Sequence, residues 1–205
     1  MKILEKTKSV LENEIILLGK ETNNRVLVIG VFHGDEPQGK FLIENYLENN
    51  QSSLLFIPCL NPDGMINNCR TNFNKIDLNR NFPTTNWALT EKNEFFGGYS
   101  PASEPETKFV IDVINKYQPK IVLTLHAPFK IVNFDGDAEK FAREISKITK
   151  YPVEASIGYP TPGSFGTYAG VELKIPTITL ELDEECPVES LIKPVTKVFQ
   201  FLEKC

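Results

Sequence analysis

Short apolar runs alternate with segments of helical periodicity along the 205-residue chain. Runs rich in β-branched residues predict buried strands over 26–32, 54–60, 120–126 and 176–182. Apolar residues at helical spacing predict amphipathic helices over 36–48, 103–117, 137–148 and 187–203. This alternation predicts an α/β fold, in which a mixed, mostly parallel sheet has helices on both faces.

Several shorter segments are less regular. Residues 10–19 favour a strand that enters the sheet, with a helix as the alternative, and residues 21–25 form a turn cluster. Residues 130–134 suggest a short further strand, and 158–170 a loop rich in Gly, Pro and aromatic residues with one short helix. Ser103 and Glu106 have the spacing of a capping box at a helix start.

The segment 61–101 has no clear periodicity, which is uncommon for so long a stretch inside a compact domain. Disorder is one interpretation, but the apolar content favours an ordered segment that lines a cleft. Its larger apolar residues are Phe73, Ile76, Leu78, Phe82 and Trp87. No internal repeat or linker interrupts the chain, so the sequence predicts a single domain over residues 1–205.

Composition narrows the possible functions. The net charge is −5 and the 22 basic residues are scattered, so nucleic-acid binding is not expected. No apolar run is long enough for a transmembrane helix, and the first residues lack the apolar core of a signal peptide. We therefore expect a cytoplasmic protein without a membrane partner. The four cysteines show no C-x-x-C spacing, which argues against a thiol-based zinc site.

Both histidines of the chain end predicted buried strands. His33 follows the strand 26–32, His126 ends the strand 120–126, and Glu36 lies three residues after His33 across a tight turn. Ligands commonly bind where strands end in open α/β sheets. Two imidazoles and one carboxylate are a common catalytic zinc set. The alternative, that the histidines are structural, stays open on these residues alone.

A series of short motifs runs through residues 26–185 of the chain. Asp77–Pro83, Asp-Leu-Asn-Arg-Asn-Phe-Pro, is the most specific of them. The others, in order, are His33–Glu36, Asn61–Gly64, Arg70–Asn72, Asn86–Trp87, Ser103–Thr107, His126–Ala127, Gly158–Gly166 and Thr179–Leu182. Together these motifs resemble the zinc carboxypeptidase family, and within it most nearly the bacterial murein peptide amidases.

The resemblance implies a role for each matching residue. One Zn²⁺ per chain would be held by His33, Glu36 and His126. Glu181 would be the catalytic base, and Arg70 would stabilise the oxyanion. The implied substrate-binding residues are Asn79 and Arg80 for a carboxylate, Tyr159 as a closing residue, and Ser164 and Phe165 in a specificity pocket. Tyr168 is an alternative to Tyr159, and both tyrosines could instead pack in the core.

The implied activity is hydrolysis of the γ-D-glutamyl–meso-diaminopimelate bond of a murein tripeptide during recycling of cell-wall peptides. The alternatives are a zinc carboxypeptidase of other peptide specificity, an N-acyl amino-acid deacylase of the aspartoacylase type, or a catalytically silent peptide-binding protein. Asp35 would cap the following helix or orient a metal ligand, with the cap favoured. Asn61–Gly64 is interpreted as a scaffolding turn. The sequence predicts no particular oligomeric state.

Overall fold

One eight-stranded mixed sheet forms the centre of the protein. The computed structural model describes residues 1–20, 26–156 and 158–205. The predicted turn at 21–25 lies outside the described residues. The strands are β1 (Lys2–Lys8), β2 (Glu14–Gly19), β3 (Val26–Gly30), β4 (Leu55–Ile57), β5 (Ile121–His126), β6 (Val132–Asp135), β7 (Val153–Glu154) and β8 (Thr177–Glu181).

The five α-helices are α1 (Gln38–Asn49), α2 (Pro62–Ile66), α3 (Pro105–Tyr117), α4 (Glu139–Thr149) and α5 (Glu189–Leu202). A 3₁₀ turn at Leu78–Arg80 and a π-helical segment at Gly166–Glu172 complete the regular elements of the described chain. None of these described helices has the length and apolar character needed to cross a lipid bilayer.

The strand order is β1-β2-β4-β3-β5-β8-β6-β7, with the four central strands β4, β3, β5 and β8 parallel. The strands β1, β2 and β6 pair antiparallel with a neighbour. Helices α1, α4 and α5 cover one face through an apolar cluster, and α3 covers the other face through a second cluster. The predicted α/β class, with a mixed sheet and helices on both faces, is therefore confirmed.

The sequence missed two features at the N-terminal end and at α3. The predicted strand 10–19 is confirmed over β2, but residues 10–13 belong to the turn that joins it to β1, a strand that the sequence does not predict. Strand β1 is largely exposed and rich in charge, as suits an edge strand, so it lacks the apolar signal of the buried strands. The prediction of a capping box at Ser103 and Glu106 is also wrong. The residue before α3 is Glu104, and its side chain makes no capping hydrogen bond. The Ser103 hydroxyl donates instead to the Glu104 carboxylate.

The segment 61–101 is ordered and packs against the core of the protein. It contributes Leu78 and Phe82 to the core that α3 covers. Helix α2 begins after Asn61, whose side chain accepts a hydrogen bond from the Gly64 amide at 2.9 Å. This agrees with the prediction of an ordered segment.

Helix α2 is tied to the turn between β1 and β2 through Asp63. This carboxylate is fully buried. Its three donors are the Ser9 hydroxyl at 2.6 Å, the Asn13 side-chain amide at 2.8 Å and the Leu11 backbone amide at 2.9 Å. The Asn61–Gly64 turn therefore has a scaffolding position.

Gly34 packs directly on the same turn. A Cβ atom added at Gly34 would lie 2.0 Å from the Gly64 carbonyl carbon and 2.3 Å from the Met65 backbone nitrogen. Both contacts are with backbone atoms, which cannot rotate away. The close approach fixes the chain immediately after His33.

We expect Gly34→Ala to lower the free energy of unfolding by about 3 kcal/mol, because the methyl group forces two backbone segments apart. Denaturant unfolding would measure the effect. Asp35→Ala is the matched control, since Asp35 is exposed and its loss should change the stability by no more than about 0.5 kcal/mol. Equal stability of the two variants would show that the contact at Gly34 is not restrictive.

Candidate functional site

The candidate site lies at the carboxyl ends of three adjacent parallel strands. His126 is the last residue of β5 and is directly paired with Glu181, the last residue of β8. His33 follows β3 on the other side of β5. The sheet therefore brings together groups that are far apart in the sequence, at the edge where ligands of open α/β sheets bind.

The turn after β3 aims two side chains at one point. Val31 has a left-handed φ of 56°, and the Glu36 amide donates to the His33 carbonyl at 3.2 Å. These features reverse the chain within three residues, so that the side chains of His33 and Glu36 face each other. Helix α1 begins only at Gln38 after Pro37 and has no side-chain cap, so the expected capping role of Asp35 is wrong.

His33, Glu36 and His126 form a compact buried donor cluster. One ligand atom from each residue lies within 4.8 Å of the others. Glu36 Oε1 is 2.8 Å from His33 Nδ1, and Glu36 Oε2 is 3.0 Å from His126 Nδ1. The two Nδ1 atoms are 3.3 Å apart. Such a cluster of imidazole and carboxylate donors suits a single zinc ion.

The protonation of His33 supports this fit. Its Nε2 atom lies 3.2 Å from Asp77 Oδ1, an acceptor, so in the neutral ring Nδ1 presents its lone pair to the cluster. Burial lowers the pKa of His33, but attraction by Glu36 and Asp77 outweighs it and raises the pKa to about 9. The cluster thus favours a positive charge between its donors, which a metal ion would supply.

The contacts within the donor cluster also determine the protonation of Glu36 and His126. Burial raises the pKa of Glu36, but the two histidines hold it well below its usual range. Burial lowers the pKa of His126 and outweighs the opposing effect of Glu36. An ionised carboxylate and a neutral imidazole are the forms that bind metals.

Asp77 is part of the candidate site, although its residue type and position in the sequence predict no separate role for it. It is fully buried, and its Oδ2 atom accepts from Arg70 Nε at 3.1 Å and from Arg70 Nη2 at 2.9 Å. Its Oδ1 atom faces His33 and also accepts from the Asn79 amide at 2.8 Å. Its position at the start of the Asp77–Pro83 motif was the available signal. Asp77 links the donor cluster to Arg70.

Arg70 and Arg80 place two positive charges beside the donor cluster. Arg70 Nη1 lies 4.0 Å from Glu36 Oε1, and Arg80 Nη1 donates to the Asn79 carbonyl at 2.6 Å. The ring of Phe95 lies 5.0 Å from the guanidinium carbon of Arg70 and 5.9 Å from that of Arg80. Because an aromatic face attracts cations, Phe95 helps to hold both arginines in place.

Glu181 is buried at the end of β8. Its Oε2 atom has no hydrogen-bond partner among the residues that the structure describes. Burial, assisted by the negative charge of Glu36, raises the pKa of Glu181 to about 8. A carboxyl group with such a pKa suits proton transfer near neutral pH.

All ten residues predicted for the site line one cavity: His33, Glu36, Arg70, Asn79, Arg80, His126, Tyr159, Ser164, Phe165 and Glu181. Tyr159 is exposed and lies beside Arg80 in the lining of this cavity.

The remaining loop residues differ in how far they reach the cavity. The Phe165 amide donates to Asn79 Oδ1 at 2.9 Å, and the Phe165 ring packs against Phe32 and Phe82 in the core. Tyr168, the alternative to Tyr159, is buried and stacks on Phe82.

The chain is similar in sequence to two curated enzymes. Murein peptide amidase A of Escherichia coli (strain K12) is 32% identical over 170 residues, which cover 76% of this chain and 69% of the relative. The same enzyme of Vibrio campbellii is 32% identical over 177 residues, covering 79% and 71%.

Solved structures show the same fold. The crystal structure of murein-tripeptide amidase MpaA from Escherichia coli O157 matches with a TM-score of 0.85 and 25% identity, over 97% of this chain and 90% of that one. Thrombin-activatable fibrinolysis inhibitor matches in fold, with a TM-score of 0.74 and 21% identity over 98% of this chain and 70% of that one.

The zinc carboxypeptidase family model matches residues 1–199, nearly the whole chain. That match spans every strand of the sheet and all of the cavity described above. The chain therefore belongs to the zinc carboxypeptidase family and is a peptide hydrolase.

Proposed function

We propose that this protein hydrolyses the γ-D-glutamyl–meso-diaminopimelate bond of a murein tripeptide. The observation that carries the proposal is the likeness to murein peptide amidases, 32% identity over 170 residues, in a chain whose ten predicted site residues line one cavity. A tripeptide is already detached from the wall polymer. The reaction would therefore serve breakdown and reuse of released wall peptides, for which we infer a cytoplasmic location.

In this proposal His33, Glu36 and His126 hold one zinc ion, consistent with their convergence within 4.8 Å. When bound there, zinc lowers the pKa of a water molecule to about 7 and polarises the scissile carbonyl. Asp77 keeps the proton of His33 on Nε2, so that Nδ1 is available as a ligand atom.

Glu181 is the proposed general base and acid. Glu181 lines the cavity beside His126, and its Oε2 atom has no hydrogen-bond partner among the described residues, so its carboxyl group is free to act on an attacking water. Glu181 would accept a proton from that water and pass it to the nitrogen of the leaving residue. Burial protects the carboxyl group from bulk solvent and raises its pKa to about 8, near the pH of the transfer.

The two arginines have separate proposed roles. Arg70, fixed by two hydrogen bonds to Asp77, would stabilise the oxyanion that develops on the substrate carbonyl. Asn79 and Arg80 would hold the carboxylate of the leaving residue, a task that suits the planar guanidinium. Tyr159, an exposed residue beside Arg80 in the cavity lining, would close over the substrate. Ser164 and Phe165 would form part of the inner wall of the specificity pocket.

We expect the zinc-loaded protein to release diaminopimelate from L-alanyl-γ-D-glutamyl-meso-diaminopimelate. We also expect it to leave N-acetyl and N-succinyl amino acids intact. Chromatographic detection of the released amines distinguishes the two substrate classes, and an α-linked dipeptide with a free carboxylate tests for general carboxypeptidase activity. Release only from the N-acyl amino acids would overturn the proposal in favour of a deacylase.

We expect Glu181→Gln to lower kcat by about three orders of magnitude while the zinc content stays near one per chain, because the amide cannot accept the proton. Single-turnover assays and metal analysis measure the two quantities. Glu184→Gln is the matched control, since Glu184 is an exposed acid three residues further along. Near-normal turnover by Glu181→Gln would refute the role of Glu181.

We expect Asp77→Asn to weaken zinc binding by about 10- to 100-fold, because the amide no longer fixes the proton of His33. Competition with a chelator measures the affinity. Asp112→Asn, at an exposed position of α3, is the control. Unchanged affinity in Asp77→Asn would show that Asp77 only fills space beneath the donor cluster.

A further inference from the structure

Phe95 presents its ring to two arginines while 40% of the residue stays exposed to solvent. The ring centre lies 5.0 Å from the guanidinium carbon of Arg70 and 5.9 Å from that of Arg80. Both arginines line the cavity of the donor cluster, whereas Phe95 lines a neighbouring cavity that shares Arg80 with it. An effect of Phe95 on the reaction would therefore pass through the two guanidinium groups.

The chain next to Phe95 is fixed to the segment that carries Asp77 and Arg80. The Asp77 amide donates to the Phe96 carbonyl at 2.8 Å. A Cβ atom added at Gly97 would lie 2.3 Å from the Arg80 carbonyl oxygen, so the two backbones are in direct contact. These contacts hold the exposed ring of Phe95 in one place beside the arginines.

The two arginines differ in how their charges are balanced. Arg70 pairs with Asp77 and lies 4.0 Å from Glu36, whereas no ion pair within the described chain involves Arg80. Arg80 is nonetheless buried, with 6% of its surface exposed. Burial lowers the pKa of Arg80; Asp77 opposes this effect, and the positive charge of Arg70 adds to it. A buried guanidinium in this position needs a further stabilising contact.

An aromatic ring stabilises a cation without occupying its hydrogen-bond donors. The electron-rich face attracts the positive charge, and the N–H groups of the guanidinium remain available to another acceptor. A carboxylate in the same place would bind those N–H groups and neutralise the charge. An aromatic residue at position 95 therefore suits two arginines that must stay in place and still bind anions.

We propose that Phe95 is a positioning residue that holds Arg70 and Arg80 side by side, so that one substrate is bound at its reacting carbonyl and at its leaving carboxylate together. This role rests on the proposed functions of the two arginines. Because Arg70 acts on the oxyanion and Arg80 on the carboxylate, loss of the ring should change both kcat and KM.

The first test compares Phe95→Leu with Phe95→Tyr on L-alanyl-γ-D-glutamyl-meso-diaminopimelate. We expect Phe95→Leu to lower kcat about 3-fold and to raise KM about 3-fold, since leucine keeps the apolar bulk but has no ring face. Phe95→Tyr should keep both values near those of the native protein. Phe41→Leu is the matched control, because Phe41 on α1 is 38% exposed. Unchanged kinetics in Phe95→Leu, or equal losses in Phe95→Leu and Phe95→Tyr, would overturn the proposal.

Fluorinated phenylalanines at position 95 change the ring face with little change in shape. Monofluoro, trifluoro and pentafluoro rings withdraw progressively more electron density from the face, which weakens its attraction for cations. We expect kcat/KM to fall stepwise along this series while the thermal midpoint Tm stays the same. Equal kcat/KM across the series would show that Phe95 only fills space.

An acid at position 95 tests why the residue is aromatic. Phe95→Glu should pair with the arginines and compete with the substrate carboxylate, so KM should rise by at least about 10-fold relative to the native protein. Phe95→Gln has nearly the same shape without the charge and should resemble Phe95→Leu. A KM for Phe95→Glu no higher than that for Phe95→Gln would contradict the proposal.

Nuclear magnetic resonance of the arginine side chains gives a readout that does not depend on turnover. The Hε protons of Arg70 and Arg80, assigned with Arg70→Lys and Arg80→Lys, should show ring-current shifts in the zinc-loaded protein. These shifts should be lost in Phe95→Leu and kept in Phe41→Leu. Shifts that are the same in Phe95→Leu and in the native protein would overturn the proposal.

The same experiments separate the role of Phe95 from the proposed function. If the protein cleaves only α-linked peptides, the proposed γ-glutamyl specificity fails, and the fluorine series on those peptides still decides the role of Phe95. If the γ-linked peptide is cleaved and neither the fluorine series nor the arginine shifts respond, the positioning role of Phe95 fails alone.

Discussion

A buried carboxylate has to be neutralised by its surroundings, and the surroundings of Asp77 are the functional groups of the cleft. It faces a ring nitrogen of His33, two nitrogens of Arg70 and the amide of Asn79. Burial raises the pKa of Asp77, but the charge and hydrogen bond of His33 and the charges of Arg70 and Arg80 hold it far below its usual range. Because every partner of this charge belongs to the site, the cost of burying it is offset only when the site is assembled.

Much of the fold and site could be predicted because the signals are local. Buried strands that end in polar residues mark the edge of the sheet, and parallel pairing brings those ends together without further information. His126 and Glu181 are 55 residues apart in the sequence but directly paired. The family resemblance, carried mainly by the motif Asp77–Pro83, predicts the role of each of these groups. Hydrophobic patterning predicts these strands because burial in the core requires apolar residues along them.

The features that escaped prediction depend on tertiary contacts. Edge strand β1 is charged and exposed, so its apolar signal is weak. Ser103 has the right spacing for a cap, but the Glu104 carboxylate competes for its hydroxyl. Asp35 precedes a predicted helix as a cap would, but α1 begins only after Pro37 and Asp35 lies exposed. Asp135 follows a weak strand signal, and only the packing of β6 against Gly166 shows that its side chain enters the cavity.

The hydrogen bonds of Asp63 make the candidate site dependent on the amino-terminal hairpin. The turn between β1 and β2 is remote from the cleft in sequence, yet it supplies the three donors of that buried charge. Gly64, the next residue, is in close backbone contact with Gly34, in the turn that follows His33. Trimming the protein to begin at Glu14 would remove the hydrogen-bond donors of a buried carboxyl group beneath the donor cluster. The amino-terminal hairpin therefore supports the candidate site. We expect the chain to tolerate shortening there less well than the exposed edge position of the hairpin suggests.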